Sequence, residues 1–355
     1  MSAERQFDWR VSGPGIDAGP MSRQLSGIRE LTMRAQLADL LTDEKPDRYG
    51  DGGPVAKLEE RVASLLGTEA ALFVPTGTMA QQIALRCWAD RTSNPIVAMH
   101  PTAHPLLHEG DALSVLAGLR AIELADPWAL IAPSDVADCP EPFGTLLLEL
   151  PQREAGFVLP TWDELVAVVE AARERDAVLH LDGARLWESA PGLGKPLDEI
   201  AGLFDSVYVS FYKSLAGISG AALAGSKEFV DQARIWRHRY GGMLFGQWPA
   251  ALAALHGLDV VLPRLATYVE HAKVVAKALG VAEPHTHQFR LHVHGSPERI
   301  NEVRGDFLGK FWPSPVPGIA MTEVTVAGPA LEWTHDEIVE AYAKFLAVVG
   351  ETRDT

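Results

Sequence analysis

The stretch from Asp205 to Leu223 constrains the fold of this chain more than any other. It opens with alternating residues rich in Val, Tyr and Phe, the pattern of a strand buried in a sheet. A single lysine, Lys213, follows this strand, and the mostly small residues of 214–220 are typical of a tight turn. Because a lysine at a strand end usually reaches water along its aliphatic stem, Lys213 taken alone indicates only a surface charge.

The stretch VLHLDGARL, at residues 178–186, gives Lys213 a different interpretation. Residues 161–175 have the period of a helix, and the strand after them ends in Asp182. A helix followed by a buried strand is the repeating unit of an α/β sheet. Carboxylates at the carboxyl ends of such strands lie where α/β folds bind ligands, and a charge there is costly unless it is paired or in water. We therefore predict an α/β fold with a ligand site near Asp182 and Lys213.

A turn of small residues, Thr76, Gly77 and Thr78, lies between a short apolar strand and a helix. Such a turn presents backbone N–H groups and hydroxyls at a helix amino terminus, where a phosphate binds through unpaired donors and the helix dipole. The simpler alternative is an N-cap formed by Thr76 or Thr78. The turn matches neither a Walker loop nor GxGxxG, so no nucleotide motif supports it.

Three histidines, His100, His104 and His108, lie close together in the chain and raise the question of a zinc site. The prolines between them interrupt a regular helix, so their spacing does not place them on one helical face. No carboxylate or cysteine completes a recognisable ligand set. We therefore expect no metal site.

The composition of the 355-residue chain excludes several classes of function. Its formal net charge of −16 disfavours nucleic acid and anionic membrane surfaces as partners. No run approaches about eighteen uninterrupted apolar residues, so no transmembrane helix is expected. The amino terminus lacks the pattern of a secretory signal, and two isolated cysteines, Cys87 and Cys139, fit a reducing compartment. These features predict a cytoplasmic protein.

The pattern of elements predicts three segments. Residues 1–47 form an amino-terminal segment, and residues 48–258 form a large α/β domain with a mixed, mostly parallel sheet. The character of the chain changes near residue 260, where helices are interspersed with a few strands. Residues 259–355 are therefore predicted to form a small carboxyl-terminal α+β domain.

Taken in order, these features match what pyridoxal phosphate (PLP) requires of a protein: a phosphate turn, a flat side chain, a carboxylate and a lysine. The chain resembles the PLP-dependent threonine aldolase and β-eliminating lyase family of fold type I, the aspartate aminotransferase-like fold. The resemblance runs from about Tyr49 to Gly257. It is carried by YGDGGPVAKLEERVASLLGTEAALFVPTGTMAQQIAL, AHPLLHEG, LHLDGARLWES, SVYVSFYKSLAGISGAALAG and RHRYGG.

The resemblance implies a role for each of these residues. Lys213 would hold the cofactor as a Schiff base, and Asp182 would pair with the pyridinium nitrogen. His104 would stack on the ring, while Gly77 and Thr78 would bind the phosphate.

The resemblance also implies how substrate and subunits are arranged. Arg185 would approach the cofactor or the substrate carboxylate. The family further implies an amino acid substrate and a homodimer or homotetramer with its active site at a subunit boundary. Tyr49 and the loop at 237–242 would contribute to that boundary.

Two departures from the family pattern concern the substrate. Family aldolases open with an Arg-Ser-Asp-Thr type segment, and none precedes Arg48 here. They also carry an arginine for the substrate carboxylate on a late strand, whereas residues 318–330 contain none. Arg290 is a candidate to replace it.

Three functional hypotheses remain open. The first is retro-aldol cleavage of a β-hydroxy-α-amino acid to glycine and an aldehyde, with His104 or His108 as the base. The second keeps PLP but performs β-elimination, racemisation or transamination of another amino acid, and the missing arginine is the argument for it. The third is a non-catalytic α/β ligand-binding protein in which Lys213 and Asp182 form a buried ion pair.

Overall fold

A computed structural model describes residues 23–28, 32–38, 40 and 42–351. Much of the predicted amino-terminal segment, 1–47, therefore lies outside the described residues. The chain divides into two compact units. The large unit contains the described residues up to 270, apart from 23–28, together with residues 284–287. The small unit contains residues 23–28, 271–283 and 288–351.

In the described part of the large unit, one sheet contains seven strands: β1 (Ala70–Val74), β2 (Ile96–Met99), β3 (Arg120–Glu123), β4 (Thr145–Glu149), β5 (Val178–Gly183), β6 (Ser206–Ser210) and β7 (Ala221–Gly225). Their order across the sheet is β1-β7-β6-β5-β4-β2-β3. Strand β7 is antiparallel to both of its neighbours, and the other neighbouring pairs are parallel. The predicted mixed, mostly parallel sheet is thus confirmed.

The inner strands of this sheet are buried along nearly their whole length, as expected when helices cover both faces of a parallel sheet. Strand β3 differs because it lies at the sheet edge and is mostly half-buried or exposed. Parallel strands bring their carboxyl ends to one edge. The register there sets Asp182 of β5 beside Glu149 of β4 and Tyr208 of β6.

The helices of both units begin and end at recognisable signals. The helix Trp162–Arg173 begins with a capping box in which Thr161 and Glu164 each accept a hydrogen bond from the other's backbone N–H. The helix Gly53–Leu66 is followed by the capping residue Gly67, whose φ is 63°. The helices are α1 (Met33–Ala38), α2 (Gly53–Leu66), α3 (Gly77–Thr92), α4 (His104–Leu107), α5 (Ala112–Val115), α6 (Pro133–Ala137), α7 (Trp162–Arg173), α8 (Leu186–Leu193), α9 (Leu197–Ala201), α10 (Lys227–Arg239), α11 (Trp248–Val260), α12 (Leu265–Leu279), α13 (Pro297–Val303) and α14 (His335–Glu351).

The histidine segment corrects one expectation. Its prolines were expected to prevent helix formation, but α4 makes a single turn that begins at His104. Pro105 is tolerated because the first turn of a helix does not need its backbone N–H.

The small unit is built on an antiparallel sheet in the order β8-β10-β9, with β8 (Gln288–His294), β9 (Trp312–Pro313) and β10 (Ile319–Thr325). Buried residues alternate along β8 and β10 and join side chains of α12, α13 and α14 in one core. The expected α+β character is confirmed. Arg290 lies on β8, opposite Glu323 of β10.

One helical stretch among the described residues, Trp248–Leu279, is long and apolar enough to cross a membrane by length and composition. This stretch is interrupted by a 3-10 turn at Leu262–Arg264 and includes Asp259 and Glu270. Because core helices of globular proteins pass the same test, it is weak evidence for a membrane span.

Candidate functional site

The first element of the site is the turn after β5. Asp182 is buried, and its Oδ1 accepts a hydrogen bond from the backbone N–H of Ala184 at 3.1 Å. Two hydrogen bonds of 2.7 Å connect this turn to β6. Ser210 Oγ donates to the carbonyl of Ala184, and Trp187 Nε1 donates to the carbonyl of Ser210. The sequence DGARLW thus holds the Asp182 carboxylate at a fixed position at the sheet edge.

A second carboxyl, Glu149, lies next to Asp182. One of its oxygens accepts from the backbone N–H of Arg153 at 3.2 Å, while the other, Oε2, is buried with no hydrogen-bond partner among the described residues. Burial, together with the negative charge of Asp182, raises the pKa of Glu149 to about 8. Glu149 is therefore mostly a neutral acid at pH 7.

Lys213 lies three residues beyond the end of β6 and is half-buried. Burial, followed by the positive charge of Arg185, lowers its pKa to about 8, against the opposing effect of Asp182 and Glu149. The uncharged amine is therefore far more populated near neutral pH than in an exposed lysine. An uncharged amine is the form that attacks carbonyl groups.

We expect Lys213 of the cofactor-free protein to react with an acylating reagent at a rate that titrates near pH 8. Because only the neutral amine reacts, the rate should be low below this pH and level off above it. Time-resolved mass spectrometry of the Lys213 peptide measures this rate, and the peptide of the exposed Lys344 serves as reference. A midpoint near 10.5, the ordinary lysine value, would show that the site does not lower this pKa.

The Arg185 guanidinium lies between an aromatic ring and a buried carboxyl. Its central carbon is 5.2 Å from the centre of the Phe157 ring, and its Nε is 4.0 Å from Glu188 Oε1. Glu188 is fully buried. Burial raises the pKa of Glu188 to about 7, although the charge of Arg185 acts against it.

The turn before α3 contains an N-cap, but part of the first helical turn stays accessible. Thr76 Oγ1 accepts from the backbone N–H of Met79 at 3.2 Å, as the simpler alternative predicted, while Thr76 and Thr78 remain exposed. Gly77 begins the 16-residue helix, and a Cβ atom there would collide with the hydroxyl of Tyr208. The N-cap leaves other backbone N–H groups of the first turn available for an anion.

Gly77→Ala should therefore lower the free energy of unfolding by about 1–3 kcal/mol, the usual cost of overpacking a filled site. It should also weaken PLP binding, since the Tyr208 hydroxyl must move at the phosphate turn. Denaturant unfolding and titration of the apo protein with PLP measure the two effects. Gly350→Ala is the matched control, because Gly350 lies in α14 with nothing near its Cβ position. Equal stability of the two variants would contradict the expected collision.

The three histidines have different partners. His100 Nε2 lies 2.7 Å from the carbonyl of Ala129, His104 Nδ1 lies 3.1 Å from Glu109 Oε1, and His108 Nε2 lies 3.1 Å from Glu154 Oε1. In the part of the chain that the structure describes, no group of three or more His, Cys, Asp or Glu side chains is placed to hold a metal ion.

Electrostatic interactions show which of these groups share one site. The pKa of Tyr212 is raised by burial and by the negative charges of Asp182 and Glu109, while Arg185 acts in the opposite direction. Tyr212 directly precedes Lys213, and its hydroxyl lies beside Gly77. The strand-end carboxylate, the lysine, the arginine, the start of α3 and the carboxylate that bonds His104 therefore lie close together.

The residues of this site fit PLP. The Lys213 amine, the Asp182 carboxylate and the start of α3 supply the donor set that the cofactor requires. Among the described residues, Glu149 Oε2 is a buried polar atom without a hydrogen-bond partner at the same sheet edge. The sequence analysis missed Glu149, Glu188, Glu109 and the two tyrosines. Only Glu149 carried a recognisable signal, since it ends a buried strand as Asp182 does.

Comparison with known proteins places the chain in a family. Residues 29–293 match the family model described as β-eliminating lyase. The low specificity L-threonine aldolase of Escherichia coli K12 is 31% identical over 269 residues, which cover 73% of this chain and 77% of the relative.

Two solved structures are similar over most of their length. A protein of Listeria monocytogenes EGD-E, described as an L-allo-threonine aldolase, is 34% identical with a TM-score of 0.87, covering 92% of this chain and 96% of its own. A protein of Exiguobacterium sp. 255-15, described as an aromatic amino acid β-eliminating lyase/threonine aldolase, is 35% identical with a TM-score of 0.86. The match covers 92% of this chain and 97% of that protein. These matches confirm fold type I and PLP as the cofactor. The chain belongs to the β-eliminating lyase family of PLP-dependent enzymes, which includes the threonine aldolases.

Proposed function

We propose that the protein cleaves the Cα–Cβ bond of a β-hydroxy-α-amino acid to give glycine and an aldehyde. The observation that carries this proposal is that Lys213, Asp182 and Arg185 lie close enough at the sheet edge for their charges to interact. The similarity to threonine aldolases supports the choice of bond.

Each residue has one task in this proposal. When bound, PLP accepts the electron pair of the broken bond. Lys213 anchors the cofactor covalently, Asp182 keeps its ring nitrogen protonated, and the amide groups of Gly77 and Thr78 hold its phosphate. Arg185 binds the substrate carboxylate.

His104 faces the ring in this arrangement and takes the proton of the β-hydroxyl group. Its imidazole Nδ1 is engaged by Glu109, so Nε2 is the nitrogen available for this proton. His108, the other base that the sequence suggested, is more exposed and bonds Glu154 instead.

We further propose a cytoplasmic homodimer or homotetramer whose subunit boundary lies at the active site. Exposed aromatic residues support a boundary there, since Tyr49 packs edge-on against Phe245 with their ring centres 5.4 Å apart, and both remain exposed. The free thiols Cys87 and Cys139 suit a reducing compartment.

The direct test supplies the PLP-loaded protein with threonine and phenylserine. We expect equimolar glycine and aldehyde. Absence of aldehyde from every β-hydroxy amino acid would refute the aldolase proposal. The alternative chemistry is favoured by one observation, that β10 has no arginine for the substrate carboxylate. Pyruvate and ammonia from a β-substituted amino acid would identify β-elimination.

A further inference from the structure

Glu109 is a buried carboxylate that connects the histidine segment to the helix of the phosphate turn. Its side chain is 0% exposed. Oε1 lies 3.1 Å from His104 Nδ1, and Oε2 accepts from Gln82 Nε2 at 2.9 Å. Gln82 belongs to α3, the helix that begins at Gly77. The orientation of His104 is thus tied to the element that holds the cofactor phosphate.

The contact with Glu109 favours hydrogen on one particular nitrogen of His104. An ionised carboxylate can only accept hydrogen bonds, so a bond between Glu109 and Nδ1 requires hydrogen on Nδ1. Oε2 of Glu109 already accepts a hydrogen bond from the Gln82 amide, an arrangement that favours the ionised carboxylate. In the neutral imidazole, Nε2 then has the free lone pair.

The His108–Glu154 pair in the same segment differs from the His104–Glu109 pair in how far its carboxylate is exposed to water. His108 Nε2 lies 3.1 Å from Glu154 Oε1, the same distance as in the His104–Glu109 pair. The two histidines are similarly exposed, His104 by 35% and His108 by 41%, but the Glu154 side chain is 21% exposed whereas that of Glu109 is 0% exposed. Charge-assisted hydrogen bonds are stronger away from water, so the Glu109 pair holds its histidine more firmly.

We propose that Glu109 is a positioning residue that holds His104 as the Nδ1–H tautomer, with Nε2 free to take a proton from the substrate. The proposal rests on the aldolase function for its kinetic consequence, but not for the tautomer itself. It adds to the site a carboxylate that touches neither substrate nor cofactor and acts through His104.

The proton balance of the cleavage explains why this orientation matters. The β-hydroxyl proton moves to Nε2, the O–H electron pair forms the C=O bond of the aldehyde, and the Cα–Cβ pair stays with the glycine fragment. Cα later gains one proton, so the reaction consumes and releases none overall. While His104 carries the extra proton, its positive charge lies beside the buried Glu109 carboxylate, which stabilises it.

The test uses the PLP-loaded enzyme and the Glu109→Gln variant. The introduced amide has nearly the same shape, but its NH₂ group can donate to Nδ1 and favour the other tautomer. We expect kcat to fall by about 10- to 100-fold, as when the hydrogen-bond partner of a metal-bound histidine is removed. KM should change little, because the groups that bind the substrate remain.

Two controls distinguish positioning from a structural role. Glu154→Gln removes the carboxylate of the matched exposed pair and should retain the wild-type kcat. Glu109→Asp keeps the charge and should recover part of the activity lost in Glu109→Gln. An equal loss in Glu109→Gln and Glu154→Gln, or a Glu109→Asp variant as impaired as Glu109→Gln, would overturn the proposal.

Nitrogen-15 NMR of His104 in the loaded enzyme supplies a readout that does not depend on turnover. We expect hydrogen on Nδ1 in the wild type and a shift toward Nε2–H in Glu109→Gln, with an unchanged visible band of the cofactor. A wild-type His104 with hydrogen on Nε2 alone would refute the positioning role. If the wild type releases no aldehyde, the aldolase function fails, yet the tautomer measurement still decides the role of Glu109.

Discussion

Lys213→Ala reduces aldehyde release by about 10³-fold or more and removes the visible absorption band of the protein. This is the largest effect that we expect, because we propose Lys213 as the covalent anchor of the cofactor and no other group would replace the lost nucleophile. Its half-buried amine, with a pKa of about 8, is suited to this attack. Steady-state kinetics and the visible spectrum measure the two losses.

The control for Lys213→Ala is Lys227→Ala. Lys227 is an exposed lysine that pairs with Asp231 on the surface of α10, and its removal should leave activity and colour unchanged. Borohydride reduction of the wild type should fix the cofactor to the peptide that contains Lys213. A cofactor-bearing peptide from another part of the chain, or a yellow and active Lys213→Ala variant, would disprove this assignment.

Asp182→Asn lowers kcat by about 10²- to 10³-fold, the range for losing one group that stabilises charge in the transition state. The amide can still accept the hydrogen bond from Ala184, so the turn should keep its shape. It cannot keep the ring nitrogen of the cofactor protonated. The visible band should therefore persist while turnover falls, in contrast to Lys213→Ala.

Glu149→Gln is the matched comparison for Asp182→Asn. Glu149 lies beside Asp182 in the sheet register, but its pKa of about 8 makes it mostly neutral at pH 7. An amide replaces a neutral acid with little electrostatic change, so kcat should change by only a few-fold. A full-sized loss in Glu149→Gln, or a wild-type rate in Asp182→Asn, would contradict the assignment of the ring-nitrogen partner to Asp182.

The sequence predicted the larger elements well, because their signals are local. The apolar strands and amphipathic helices are recognisable from period and residue type, and the alternating order predicts a parallel sheet. The misses have physical reasons. Strand β3 lies at the sheet edge, where exposed residues such as Arg120 weaken the apolar pattern. Helix α4 is a single turn, too short to show a period.

The residues of the candidate site also fall into two groups, those that the sequence shows and those that it does not. Lys213, Asp182 and the Thr76–Thr78 turn stand at the ends of strands or the start of a helix, positions that a sequence shows directly. The role of His104 followed from resemblance to a family. Glu109 and Glu188 lie inside the segments AHPLLHEG and LHLDGARLWES, but their significance depends on being shielded from water beside a histidine or an arginine, which the sequence does not show.

The sequence by itself determined the α/β class, the order of the elements along the chain and the position of Lys213 shortly after a buried strand. Local periodicity and turn chemistry decide these features, and both are written in consecutive residues. Only the tertiary structure decided that Glu149 lies beside Asp182 and that Glu188 lies next to Arg185. It also lowers the pKa of the Lys213 amine to about 8. These properties arise from burial and from charges on distant segments, which meet only when the strands pair and water is excluded.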